Sequence, residues 1–221
     1  VGWIQVPCFK NPIDYPVMQA ADNEFYLQHD FYKNFSYAGS IFMDYRNNPL
    51  QVDRHIILYG HAMNDGAMFG NLKEFPNRQE DYTRITRIYL DLMNTRLEYE
   101  IFSVYFEDAT YNYRQTSFAS DDEYMEFLER IRSKSVYDYK VKLTPLDKII
   151  TLSTCNNNLG EEIRSITHAR LVRQIIYDKS SGAPYVTSAS ESTIKNVVSA
   201  NIYLLELRMT YESEGKTVEA V

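Results

Sequence analysis

In the stretch Lys148-Ile149-Ile150-Thr151-Leu152-Ser153-Thr154-Cys155, followed by Asn156-Asn157-Asn158-Leu159-Gly160, an apolar and β-branched run stops at a thiol and opens into a polar turn. Such a run has the composition of a short strand, and the Asn and Gly residues after it end that strand. The thiol therefore lies at a strand tip, where a nucleophile is reachable. Working outward, similar runs recur at Trp3 to Val6, Ser40 to Asp44, His55 to Tyr59, Ile85 to Leu90, Tyr99 to Tyr105 and Leu171 to Tyr177. Clusters of Pro, Asn, Asp and Gly at Pro12 to Pro16, Arg46 to Pro49 and Asn64 to Gly66 separate them. Many short strands joined by loops predict a mainly β barrel or sandwich. The 19 tyrosines and 11 phenylalanines tilt the class the same way, since aromatic side chains suit a pleated surface. Ile56-Ile57-Leu58 does not alternate, which predicts a strand covered on both faces.

One helix is signalled between the strands. Tyr124, Phe127, Leu128 and Ile131 follow the spacing of one buried stripe, and Ser120-Asp121-Asp122-Glu123 has capping-box form. A second helix, with a less regular period, is expected from Thr193 to Leu207. The Ser- and Ala-rich stretch Ser180 to Ser192 reads as a linker. The expected organisation is one domain over residues 1–177 and a C-terminal appendage over 178–221.

The chain has 221 residues, enough to bury a sizeable core without staples. Its formal charge of −7 gives no bulk support to a surface that tracks phosphates, so nucleic acid is not an expected partner. No run of about 20 apolar residues offers a membrane span. The sequence enters an apolar segment, Val1-Gly2-Trp3-Ile4, at its first residue, and is read as trimmed at its N-terminus. Its two cysteines, Cys8 and Cys155, are too few for a disulfide framework.

Three positions are candidates to carry chemistry. Cys155 is the reachable thiol, an attacking group once deprotonated. His61 follows Tyr59-Gly60 at the end of another apolar strand, and imidazole is the side chain that exchanges protons near neutral pH. Arg170 starts Arg170-Leu171-Val172, and its permanent charge could hold a developing oxyanion. Arg164 and Arg173 compete for that role. His55 lies at the other end of the His61 strand, about 20 Å away, so the two should not act together. The histidines and cysteines form no zinc pattern, and GxGxxG, P-loop and GxSxG elements are absent; no metal or cofactor is expected.

Together, Thr151-Leu152-Ser153-Thr154-Cys155, Tyr59-Gly60-His61 and Arg170-Leu171-Val172 resemble the TLxTC segment, strand-end His and RLV-type strand of the sortases. Ile13-Asp14-Tyr15-Pro16-Val17-Met18-Gln19, Asp22-Asn23, Gly39-Ser40-Ile41-Phe42-Met43-Asp44-Tyr45-Arg46 and Asp65-Gly66-Ala67-Met68-Phe69 are similar to the class B branch, and the resemblance runs from Val1 to about Tyr177. It implies a closed β-barrel of seven or eight strands with flanking helices, one of them inserted before the strand that carries Cys155. It also implies a cysteine transpeptidase at the extracellular face of a Gram-positive cell membrane, anchored by an N-terminal segment that this chain lacks. Its expected partners are the C-terminal sorting signal of surface proteins and a cell-wall peptide or pilin amine. Cys155, His61 and Arg170 would be catalytic. Asn23, Leu27, Tyr59, Tyr113, Ser153 and Thr154 would line the signal-binding groove.

Two other readings stay in view. A cysteine protease would hand the acyl group to water, although papain-like enzymes place Cys before His and caspase-like enzymes need a QACxG-type segment that Ser153-Thr154-Cys155-Asn156-Asn157 does not supply. A non-catalytic β-rich surface module would simply bury Cys155.

Overall fold

The structure, a computed structural model, describes residues 1–7, 9, 11–155, 162–177 and 184–188, with Cys155 and residues 184–188 described by their backbone. Its strands are β1 (Gly2–Val6), β2 (Ile13–Met18), β3 (Ile41–Met43), β4 (His55–Tyr59), β5 (Arg87–Leu92), β6 (Thr95–Asp108), β7 (Ile149–Cys155), β8 (Ile163–Tyr177) and β9 (Pro184–Ser188). They form one sheet in the order β6-β5-β1-β2-β3-β4-β7-β8-β9, and β6 also pairs with β8. That pairing closes the first eight strands into a barrel, which removes their open edges. β7 and β9 occupy successive stretches of β8, opposite residues 164–170 and 173–177.

The barrel interior is filled by alternate residues. In β5, Ile88, Leu90 and Leu92 are buried while Arg87, Tyr89 and Asp91 are only half-buried. Ile56 and Leu58 of β4 and Ile150 and Leu152 of β7 join that interior cluster. A second layer lies outside β6 and β7, where helix α2 (Asp121–Ser133) packs Tyr124, Phe127, Leu128 and Ile131 against Phe102 and Ile149. These central strands are therefore covered on both faces, which explains their unbroken apolar runs. The helix is capped as its sequence predicts: Ser120 Oγ accepts the Glu123 N–H at 3.1 Å, and a Glu123 carboxylate oxygen accepts the Ala119 N–H at 2.5 Å. A single short turn, α1 (Gln79–Tyr82), precedes β5. Among the described residues no helix is long and apolar enough to cross a membrane.

Three features differ from the sequence reading. Ile13–Met18 is a strand although Pro12 to Pro16 has loop composition. Pro16 faces Trp3 of β1, and β2 pairs with β3 only through Val17 and Met18, so the missing proline N–H costs that side of β2 no ladder bond. The strand expected from Leu171 begins instead at Ile163, and the polar residues Ser165, Thr167 and His168 in its first half are buried; Ser165 Oγ, for example, donates to Leu72 O at 2.6 Å. Pro184–Ser188, inside the expected linker, pairs with β8 as a strand. The helix expected from Thr193 to Leu207 lies outside the described residues, as does Cys8.

Candidate active site

Strand register brings distant residues together at one end of the barrel. β4 runs parallel to β7 with Tyr59 opposite Ser153, and the Gly60 N–H donates to Ser153 O at 3.4 Å, carrying the pairing one residue further. His61 and Cys155 each follow their registered pair by two residues and so come level. On the other side of β7, Cys155 stands directly opposite Arg164. Adjacent strands lie about 4.8 Å apart, and directly opposed residues share a face of the sheet. Positions 155 and 164 are thus neighbours on β7 and β8, and His61 lies two residues beyond the end of β4, on the other side of β7.

Arg170 is not brought there. It pairs with Ile149 at the far end of β7, about 20 Å from Cys155 along the strand. Its guanidinium donates to Glu100 of β6 at 3.1 Å and lies 3.7 Å from Asp147. The expectation that Arg170 joins Cys155 and His61 is therefore corrected: Arg170 is held in a cross-strand ion pair, and the arginine at the site is Arg164. Arg173 is further away still, bonded to Glu98.

His61 is held from the opposite wall. Its Nε2 lies 2.7 Å from the Leu27 carbonyl oxygen, at the end of the single helical turn Phe25–Leu27. A carbonyl can only accept, so Nε2 carries the hydrogen and Nδ1 is left for proton exchange. The Leu27 carbonyl is itself set by Gly39, which has φ +57° and where a Cβ would lie 2.5 Å from Leu27 O. Gly39→Ala should therefore push the carbonyl away from His61 and lower kcat/KM between about ten- and a hundredfold. Steady-state kinetics, with thermal melting as a control for folding, checks this. Thr154, expected in the groove, is buried with its hydroxyl donating to Gly60 O at 2.7 Å; it fixes the turn that delivers His61.

The other expected groove residues converge on partners that the sequence reading did not assign. Tyr59 Oη donates to Asp44 at 2.8 Å, and Asn23 Nδ2 donates to the same carboxylate oxygen at 3.1 Å. Arg46 donates to both Asp44 oxygens at 2.8 Å and also to the Arg114 carbonyl at 2.9 Å. Asp44 is fully buried. Burial alone would raise its pKa, but the Arg46 bonds and the Tyr59 O–H outweigh it and hold the carboxyl down at about 2. Burial, with the Asp44 charge adding to it, pushes the Tyr59 phenol far up. Asp44 thus ties the Asn23 segment, β4 and the Arg114 segment together. The quoted run Asp44-Tyr45-Arg46 contained the pair, but nothing local showed that it would be buried. Tyr113 and Ser153 are both buried, and their hydroxyls lie 2.9 Å apart.

Beneath this face lie two fully buried imidazoles, His55 and His168, on either side of Thr151. Burial pushes His55 down to about 4, against a bond to the Gln115 carbonyl that favours the charged ring. Burial and then His55 push His168 well down. An unfolded chain protonates these rings near pH 6.5, so between that pH and about 4 it binds more protons than the fold does. Stability should therefore fall as pH drops through this window, by about 2 kcal/mol from His55 alone at pH 5. Urea unfolding at pH 7 and pH 5 measures it; equal stabilities would contradict burial of neutral rings. Among the described residues no group of three or more His, Cys, Asp or Glu could hold a metal ion.

Comparison with known proteins agrees with this geometry. Residues 4–172 match the sortase domain family. Sortase B of Listeria monocytogenes is 36% identical over 173 residues, 78% of this chain and 69% of that protein. Sortase B of Staphylococcus aureus is 36% identical over 166 residues, 75% of this chain and 67% of that protein. Among solved structures, a substrate complex of Staphylococcus aureus sortase B superposes with TM-score 0.72 at 35% identity, covering 78% of this chain and 79% of the other. Sortase B from Bacillus anthracis superposes with TM-score 0.70 at 43% identity, covering 77% and 78%. With an eight-stranded closed barrel, a helix inserted before the cysteine strand and this degree of similarity, the chain belongs to the sortase family of cysteine transpeptidases, in its class B branch.

Proposed function

We propose that this sortase cleaves the C-terminal sorting signal of a surface protein through a thioacyl intermediate on Cys155 and joins the new carboxyl terminus to a cell-wall peptide or pilin amine. The Cys155 thiol passes its proton to His61 Nδ1, and the resulting thiolate attacks the scissile carbonyl carbon, forming a C–S bond and an oxyanion. Arg164 donates to that oxyanion, in a cleft where such contacts are worth more than in water. The oxyanion collapses, the C–N bond breaks, and the leaving amine takes a proton from His61 Nδ1. The acceptor amine then attacks the thioester and gives its proton to Nδ1; a new C–N bond forms and the thiolate leaves. Asn23, Leu27, Tyr59, Tyr113 and Ser153 shape the groove for the signal, and Thr154 positions the His61 turn. No metal or cofactor takes part in this scheme. The protein works at the cell surface of a Gram-positive bacterium, on the outer side of the membrane, held there by an N-terminal anchor.

The observation that carries this reading is the register that sets Cys155 opposite Arg164 on β8 and, through Tyr59 opposite Ser153, brings the end of β4 that leads to His61 alongside β7. Fluorogenic peptides bearing NPxTx-like motifs, incubated with and without triglycine, test it. Faster cleavage with triglycine, and a product extended by triglycine, is expected. Cleavage that neither accelerates nor incorporates the amine would make the protein a hydrolase instead.

A further inference from the structure

The first threonine of the Thr151-Leu152-Ser153-Thr154-Cys155 motif has no part in the chemistry above, yet it is fully buried between two imidazoles. Thr151 Oγ1 lies 2.6 Å from His55 Nε2 and 2.7 Å from His168 Nδ1. His55 Nδ1 lies 2.6 Å from the Gln115 carbonyl, and His168 Nε2 lies 2.9 Å from Tyr105 Oη. The carbonyl at one end can only accept, and this sets every other hydrogen when both rings are neutral. His55 Nδ1–H donates to Gln115 O, Thr151 O–H donates to His55 Nε2, His168 Nδ1–H donates to Thr151 Oγ1, and Tyr105 O–H donates to His168 Nε2. Each atom in this chain is used, and each bond runs the same way.

The far end of the chain is the segment over residues 109–118, which crosses the outer face of the barrel beside the site. Three consecutive residues fasten it there: Tyr113 to Ser153, the Arg114 carbonyl to Arg46, and the Gln115 carbonyl to His55. Two-residue alternation puts positions 151, 153 and 155 on one face of β7, so the segment is tied to the strand that carries Cys155. Phe127 and Phe102 pack on the two imidazoles, at ring separations of 5.4 and 6.0 Å, leaving the hydrogen-bond chain to satisfy their nitrogens.

We infer that Thr151 is a positioning residue for this sortase: its hydroxyl, accepting from one buried imidazole and donating to the other, locks both as neutral Nδ1–H tautomers and so holds the 109–118 wall against the cysteine strand. A serine can do this. A valine of the same shape can neither donate nor accept, and leaves two buried ring nitrogens without partners. The kinetic part of the inference rests on the proposed peptide substrate; the structural part does not.

Imidazole ¹⁵N–¹H correlation spectra of the wild-type protein at pH 7 should show His55 and His168 neutral, both protonated at Nδ1. Either ring charged, or protonated at Nε2, would overturn the inference. Thr151→Val should speed hydrogen exchange at residues 113–116 and raise KM for the sorting peptide, each about tenfold, with a smaller change in kcat, and Thr151→Ser should restore both. Unchanged exchange and KM in Thr151→Val, even with lowered thermal stability, would also overturn it. If Thr151→Val does not fold, the wild-type tautomers decide. A wild-type protein that turns over no sorting peptide would sink the proposed function but leave the spectra and the exchange rates as tests of the hydrogen-bond chain.

Discussion

Cys155→Ala should abolish peptide cleavage, lowering kcat/KM by about 10⁴-fold or more, while the melting temperature stays close to that of the wild type. The size follows from the route. In the proposed scheme cleavage and transfer are separate steps joined by a thioester, and alanine removes the atom on which that intermediate would form. Neither His61 nor Arg164 can replace it in that scheme, where one moves a proton and the other holds a charge. Water could reach the scissile carbonyl of a bound peptide, but without a covalent step it has no route to the amine product. Rates with and without triglycine, together with mass spectrometry for an acyl adduct on the wild-type protein, measure the outcome. Full activity in Cys155→Ala would remove the thiol from the mechanism.

Arg164→Ala should lower kcat/KM about 10²- to 10³-fold, whereas Arg170→Ala should leave it within about threefold. The two arginines stand six positions apart on β8, on the same face, yet face opposite ends of β7: Arg164 meets Cys155 and Arg170 meets Ile149. A guanidinium about 20 Å from the thiol cannot donate to an oxyanion formed there. Losing Arg170 instead removes a half-buried partner from Glu100, whose carboxyl burial would raise but whose bonds to Arg87 and Arg170 hold it below its usual value. The expected cost is about 1 kcal/mol of stability. Kinetics and urea unfolding of both variants separate the roles. Loss of activity in Arg170→Ala, with Arg164→Ala active, would contradict the strand register.

Much of the fold was legible in residue order. β4 runs from His55 to Tyr59 as its apolar residues predict, and α2 begins at the capping box and buries the stripe formed by Tyr124, Phe127, Leu128 and Ile131. Cys155 closes its strand, and His61 follows the end of another. Two strands were hidden because their composition contradicts their environment. Pro16 made β2 look like a loop. The start of β8 carries Arg164, Ser165, Thr167 and His168 in place of an apolar run, and Ser165, Thr167 and His168 are buried. The later start expected for β8 went with the wrong arginine: Arg170 stood at the edge of that expected strand, in the Arg170-Leu171-Val172 phrase that resembles the RLV-type strand of the sortases. Neighbours along a strand face opposite sides, so Ser153 meets Tyr113 while Thr154 donates to Gly60.

Composition, caps and the types of reacting groups are local properties. They depend on a few adjacent residues and the backbone geometry those residues favour, so a mainly β chain with a thiol and an imidazole at strand ends could be recognised from residue order. Register is a property of pairs far apart in the chain. Which guanidinium meets Cys155, which carbonyl orients His61 and which carboxylate gathers Asn23, Tyr59 and Arg46 were fixed only when the barrel closed. The reason is that a strand slides to the position that buries its apolar face and satisfies its buried polar atoms together, and those atoms belong to many segments at once.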